Sequence, residues 1–187
     1  MKTALIRENI EDAAKLIKDG ELVAVPTETV YGLAGNGLDA HAVEMIYEVK
    51  GRPQVKPLAL MVPDSGDMEK YCEDVPAQAK KLAERFWPGP LTLVVRAAPE
   101  IPAVVRAGGE TVGLRCPDHP LTLELLRQCG LPLAGPSANP SGAPARMSLT
   151  CSILPQASLT ATILGTSEAS RRQVAALILT PVLPGTL

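Results

Sequence analysis

Aromatic side chains are scarce in this chain of 187 residues: Tyr31, Tyr47, Tyr71, Phe86 and Trp87 are the only five. That is a poor supply for a protein that stacks bases on exposed rings. Histidine is scarcer still, with His41 and His119 far apart, and the cysteines at 72, 116, 129 and 151 form no C-x-x-C. These spacings argue against the usual zinc sites, and in a chain this long against a disulfide framework, so no metal ligand set is expected. A positive excess is missing too. The net charge is −2 and the pI ≈ 5.7, so any anion site must be local. No apolar run reaches the ~18 residues of a spanning helix. The first residues turn acidic after nine without an apolar stretch of signal-peptide length. The expectation is a soluble, cytoplasmic protein with no membrane part.

What the chain does contain is an ordinary globular balance, with 46% apolar and 20% charged residues. Ile10, Ala13, Ala14 and Ile17 fall at i, i+3, i+4 and i+7 and predict an amphipathic helix ended by Gly20. The apolar run 21–25 before Pro26 predicts a buried strand. A helix fits 40–50, and another carries Ala79, Leu82, Ala83 and Phe86 until Trp87-Pro88-Gly89-Pro90 stops it. Residues 58–62, 91–95, 111–114 and 131–134 are further strand candidates. Asp118 and Pro120 open a helix running to about Cys129. Short apolar strands alternating with helices predict a layered α/β domain.

The pattern changes after residue 140. Residues 141–187 hold only Arg146, Glu168, Arg171 and Arg172 as charges, with no Asp or Lys, while Ser and Thr number twelve against eight in the preceding 140. A folded α/β half keeps solvated charges on its helix faces, and this segment does not. It does hold an apolar run at 174–179.

Four stretches could carry chemistry. Residues 26–33, Pro26-Thr27-Glu28-Thr29-Val30-Tyr31-Gly32-Leu33, follow a strand, where open α/β sheets bind ligands. Their hydroxyls, carboxylate and phenol suit a small polar substrate, although a turn with a helix N-cap would use the same letters. Lys50, Arg52 and Lys56 place three cations in seven residues around Gly51 and Pro53. They could clamp a polyphosphate or merely partner a helix dipole. Gly135-Pro136-Ser137-Ala138-Asn139-Pro140-Ser141-Gly142 makes a rigid loop suited to phosphate or ribose oxygens, or a plain turn. Arg115 ends a strand on a cation that could meet a substrate carboxylate or a surface anion. No Walker A, G-x-G-x-x-G, G-x-S-x-G or H-E-x-x-H occurs, and no nucleophile has an obvious His base. These features point to group transfer by positioning and electrostatics.

In this order, PTETVYGL, KGRP with the following KPL, VGLRCPDHP and PSANPSG resemble the YrdC-like threonylcarbamoyl-AMP synthase family over residues 5–144. The resemblance implies a YrdC-like open, twisted, mostly mixed sheet with helices packed on it and a basic concave face. It implies an enzyme of nucleotidyltransferase type, L-threonylcarbamoyladenylate synthase. Such an enzyme joins L-threonine, bicarbonate and ATP, the nucleotide with Mg2+, and releases pyrophosphate. Its product goes to the tRNA threonylcarbamoyl-transferase complex for t6A at position 37. Residue by residue, the match makes Lys50 and Arg52 catalytic. It puts ATP on Arg52, Lys56, Thr111, Ser137 and Asn139, and threonine on Thr29, Arg115, Gly135 and Met61. Met61 stands where some members have His, and Gly135 where Ala is more usual.

Past Ala145 the family's E-S-T-V-V-D strand and final R-P-G are not recognisable. The expected division is therefore a YrdC-like domain at 1–144 and an atypical tail at 145–187, either read in a shifted frame or diverged. The rival reading is an RNA-binding or regulatory YrdC-like module with little turnover. Few aromatics and a net charge of −4 for residues 1–140 weigh against more than weak RNA binding.

Overall fold

The computed structural model describes residues 10–142 and the two-residue strand Leu177–Ile178. Helix α1 (Ile10–Lys18) has Glu11 and Asp12 in its first turn and Lys15 and Lys18 in its last, which suits the helix dipole at both ends. It buries Ala13, Ala14 and Ile17 and packs against α5 (Pro120–Cys129). Helix α2 (Ala40–Lys50) starts where Asp39 accepts a hydrogen bond from the His41 amide at 2.9 Å. It ends at Gly51, whose φ of 57° lies in the left-handed region that favours glycine. The helix stop and the K-G-R spacing are thus one feature. A short 3-10 turn (Ser65–Asp67) leads into α3 (Met68–Tyr71), and α4 (Ala77–Phe86) precedes the Trp87-Pro88 break.

Seven strands form one mixed sheet: β1 (Val23–Val25), β2 (Gly32–Asn36), β3 (Ala59–Met61), β4 (Leu93–Arg96), β5 (Thr111–Arg115), β6 (Leu133–Ala134) and β7 (Leu177–Ile178), in the order β4-β5-β3-β6-β2-β1-β7. The pairs β3–β5 and β1–β7 are parallel and the others antiparallel. The expected α/β class and mixed sheet hold. The core lies between sheet and helices around Ile17, Leu33, Ile46, Leu60, Leu114 and Leu125.

Two differences from the sequence reading are physical. Gly32-Leu33-Ala34-Gly35-Asn36 forms β2, although glycine disfavours strands. A Cβ on Gly35 would stand 2.7 Å from Leu22 Cδ2, so close approach of β2 to the chain before β1 selects glycine there. The 3-10 turn and α3 are too short to leave a period in the sequence. From the apolar run at 174–179, Leu177 and Ile178 pair with Val23 and Ala24. The rest of the expected tail unit at 145–187 lies outside the described residues, and with it the choice between a shifted frame and a diverged ending. Among the described residues, no helix is long and apolar enough to cross a membrane.

Candidate active site

The β1–β2 loop, the ends of β3 and β5, and the loop after β6 line an open cleft. Thr27 shapes the first of these. Its Oγ1 accepts the amides of Thr29 and Val30, each at 3.2 Å, and donates to the Val30 carbonyl at 2.6 Å. This local network sets Thr29 on the cleft wall, where its hydroxyl accepts from Arg115 Nη2 at 3.1 Å. The same Nη2 donates to Glu28 Oε1 in an ion pair that is 20%/19% exposed at its two side chains. Glu28 Oε2 accepts the Asp118 amide at 3.1 Å. One carboxylate therefore ties the end of β5 to the start of α5. Arg115 Nε is buried and has no hydrogen-bond partner, so the guanidinium retains donor capacity beside the cleft.

The loop after β6 is held on three sides. The Gly135 amide donates to the Ala59 carbonyl at 3.3 Å, the Leu33 amide to the Pro136 carbonyl at 2.9 Å, and the Ala138 amide to the Tyr31 carbonyl at 2.7 Å. The third side is Lys50, only 5% exposed, whose ammonium donates to the carbonyls of Ser137 and Asn139. The Lys50 carbonyl in turn accepts the Ser141 amide at 2.9 Å. Burial, with the Arg52 charge adding to it, pushes the Lys50 pKa down to about 8.

Of the ten site residues expected from the sequence, Thr29, Met61, Arg115, Gly135 and Ser137 come together on the cleft wall. Lys50 stands behind the wall and reaches it through two carbonyls. Arg52 Nε donates to the Lys56 carbonyl at 3.2 Å and Nη2 to the Pro57 carbonyl at 3.0 Å, bracing the turn that carries Lys56. The Tyr47 hydroxyl donates to the same Lys56 carbonyl at 2.9 Å. Lys56 itself is exposed, and Asn139 is half-buried in the loop that Lys50 holds. Thr111 is exposed at the far end of β5, four residues from Arg115 or about 13 Å along the strand. The structure adds Glu28, Thr27 and Thr92 to the site. Glu28 was visible in the polar loop, but the partner that defines its role lies 87 residues away.

Nearby groups are poor nucleophiles. Burial raises the Cys116 thiol to about 11, and its Sγ lies 3.4 Å from the Pro63 carbonyl. Burial also holds the His119 imidazole below its ordinary pKa. Among the described residues, no cluster of three or more His, Cys, Asp and Glu side chains could hold a metal ion. The cleft therefore offers directed donors for an anionic, polar ligand.

The family model Sua5_yciO_yrdC, described as "Telomere recombination", matches residues 15–164. The chain belongs to this family. Its match runs 20 residues past the point where the motifs stop being recognisable. The chain is 50% identical over 136 residues to a Bacillus subtilis threonylcarbamoyl-AMP synthase, covering 72% of this chain and 39% of that protein. A Vibrio vulnificus protein of the same name is 37% identical, with 72% of this chain and 73% of that protein covered. The crystal structure of Pyrococcus abyssi Sua5 complexed with L-threonine superposes with a TM-score of 0.79 at 37% identity, over 95% of this chain and 50% of that one. The chain thus spans well under two thirds of the length of the Bacillus relative.

Proposed function

We propose that this chain is an L-threonylcarbamoyladenylate synthase that converts L-threonine, bicarbonate and ATP into threonylcarbamoyl-AMP and pyrophosphate. The observation that carries the reading is the convergence of Thr29 and the partly unsatisfied Arg115 on the loop of Ser137 in one cleft. The names of the relatives and the threonine in the Pyrococcus structure support it. On this reading Arg115 receives the amino-acid carboxylate and Thr29 the polar end of the side chain, with Met61 and Gly135 beneath. The nucleotide enters as its magnesium complex along Ser137 and Asn139, with Arg52, Lys56 and Thr111 as outer contacts. The threonine amine adds to the carbon of bicarbonate with loss of water. The resulting carbamate oxygen then attacks the α-phosphorus, and the bond to the pyrophosphate oxygen breaks. Fixed cations offset the charge that builds on the phosphoryl oxygens.

In this reading Lys50 and Arg52 serve the transfer, residues 1–144 carry the catalytic groups, and 145–187 are an atypical ending that adds Leu177 and Ile178 to the edge of the sheet. The product passes to the cytoplasmic complex that completes t6A on tRNA, and any RNA contact is weak. The test is pyrophosphate release with ATP, bicarbonate and single amino acids. Threonine should support release and valine should give little; equal rates with the two would overturn the assignment.

A further inference from the structure

Among the described residues, Lys50 and Thr122 are the two buried polar or charged side chains. Lys50 holds the loop after β6, whereas Thr122, at 0% exposure, lies away from the cleft wall. Thr122 is the third residue of α5, and its hydroxyl donates to the Pro26 carbonyl, 96 residues earlier in the chain. In a helix a threonine hydroxyl can satisfy itself on a carbonyl one turn back. This one reaches out of its helix instead. The ladder between β1 and β2 ends with Val25 opposite Gly32, so buried Pro26 lies one residue past it, where the loop carrying Thr29 begins.

The Pro26 carbonyl and the Thr27 amide belong to one planar peptide unit. Holding that carbonyl fixes the plane from which Thr27 departs, and the Thr27 hydroxyl in turn takes up the amides of Thr29 and Val30. The start of α5 grips the loop a second time, through the Asp118 amide on Glu28 Oε2 at 3.1 Å. These two attachments flank Thr27, and α5 is itself packed on α1.

We infer that Thr122 is a positioning residue for the amino-acid loop: through the Pro26 carbonyl it sets Thr27, and through Thr27 it sets Thr29 on the cleft wall. The inference rests on the proposed function, because it takes an amino acid as the ligand of Thr29. A buried carbonyl that loses its donor gains by turning toward water or another donor. Here that turn carries the peptide between residues 26 and 27 with it and frees Thr29. Ser137 and Asn139 sit on a loop held by Lys50, which the Thr122 hydroxyl does not touch. Loss of the hydroxyl is therefore felt by the amino acid rather than by the nucleotide.

Pyrophosphate-release kinetics and amide exchange of wild type, Thr122→Val and Thr122→Ser test this. Valine keeps the shape of threonine and removes only the hydroxyl, whereas serine keeps the hydroxyl and loses a methyl. Thr122→Val should raise the threonine KM about 10-fold, with the ATP KM changed less than about 2-fold. Exchange at the Thr29 and Val30 amides should accelerate at least about 10-fold in the same variant. Thr122→Ser should stay within about 3-fold of wild type in all three measurements. A residue serving packing alone would tolerate valine better than serine and would move neither the KM ratio nor these two amides. Equal rises in both KM values, unchanged loop exchange in Thr122→Val, or a Thr122→Ser protein as impaired as Thr122→Val overturns the positioning role and leaves the proposed function standing. If wild type shows no threonine-dependent release, the proposed function falls, and exchange at Thr29 and Val30 still decides whether Thr122 holds the loop.

Discussion

The ammonium of Lys50 donates to the carbonyl of Asn139, 89 residues further along the chain, and closes the loop after β6 onto the end of α2. The same ammonium holds the Ser137 carbonyl. A buried cation is stable only when its protons are taken up, and here backbone oxygens of the candidate site do so. Lys50 thus acts on the loop that carries Ser137 rather than from the cleft wall.

Lys50→Met should loosen that loop more than it lowers overall stability. Removing the charge relieves a burial cost that offsets the lost bonds, so the net change in unfolding free energy should stay within about 1–2 kcal/mol. Amide exchange at Ala138 and Ser141 should accelerate by at least about 10-fold, read by hydrogen exchange. Unchanged exchange at those two amides would remove the clamp.

The depressed pKa of Lys50 has a definite sign in stability. Its folded value is about 8 against an ordinary 10.5, so between these pH values the unfolded chain binds more protons and stability rises with pH. Relative to Lys50→Met, wild type should gain roughly 3 kcal/mol from pH 8 to 10.5, at about 1.36 kcal/mol per unit. Below pH 8 the difference should be flat. Denaturant titrations of both proteins across this range would show it, and parallel curves throughout would contradict it.

Glu28→Gln keeps an acceptor for the Asp118 amide but removes the charge that holds Arg115. Arg115 should lose its fixed orientation, and the amino-acid KM should rise about 10-fold with the ATP KM changed less than about 2-fold. Equal rises in both would assign Glu28 to general folding instead.

Arg52→Ala removes the two bonds that brace the turn before Lys56. Charge-assisted bonds are worth about 1.5–3 kcal/mol, which predicts a ~10- to 150-fold fall in kcat/KM. Arg52→Lys should restore only part, because an ammonium lacks the rigid planar fork that reaches the Lys56 and Pro57 carbonyls together. Undiminished pyrophosphate release by Arg52→Ala, with unchanged circular dichroism, would make the residue a surface ion.

Much of the fold is written locally. The stripe of Ile10, Ala13, Ala14 and Ile17, the Asp39 cap and the Gly51 stop each act within one or two turns, so the helices they define are legible from spacing. Strand β2 is not legible, because its Gly35 answers to Leu22 packed against it rather than to strand preference. In the site, Thr29, Arg115 and Ser137 stand in recognisable motifs, whereas Thr111 shares a motif strand with Arg115 yet lies at its opposite end.

By itself the sequence determined the α/β alternation, the helix limits and the family's motif order, since hydrophobic period, caps and short motifs act over a few residues. Only the tertiary structure decided that Glu28 anchors Arg115, that Lys50 serves backbone carbonyls and that Thr122 holds the Pro26 carbonyl. Those relationships join residues many tens of positions apart, brought together by the crossing of strands. Charge, burial and contact there depend on the partner that arrives from elsewhere in the chain.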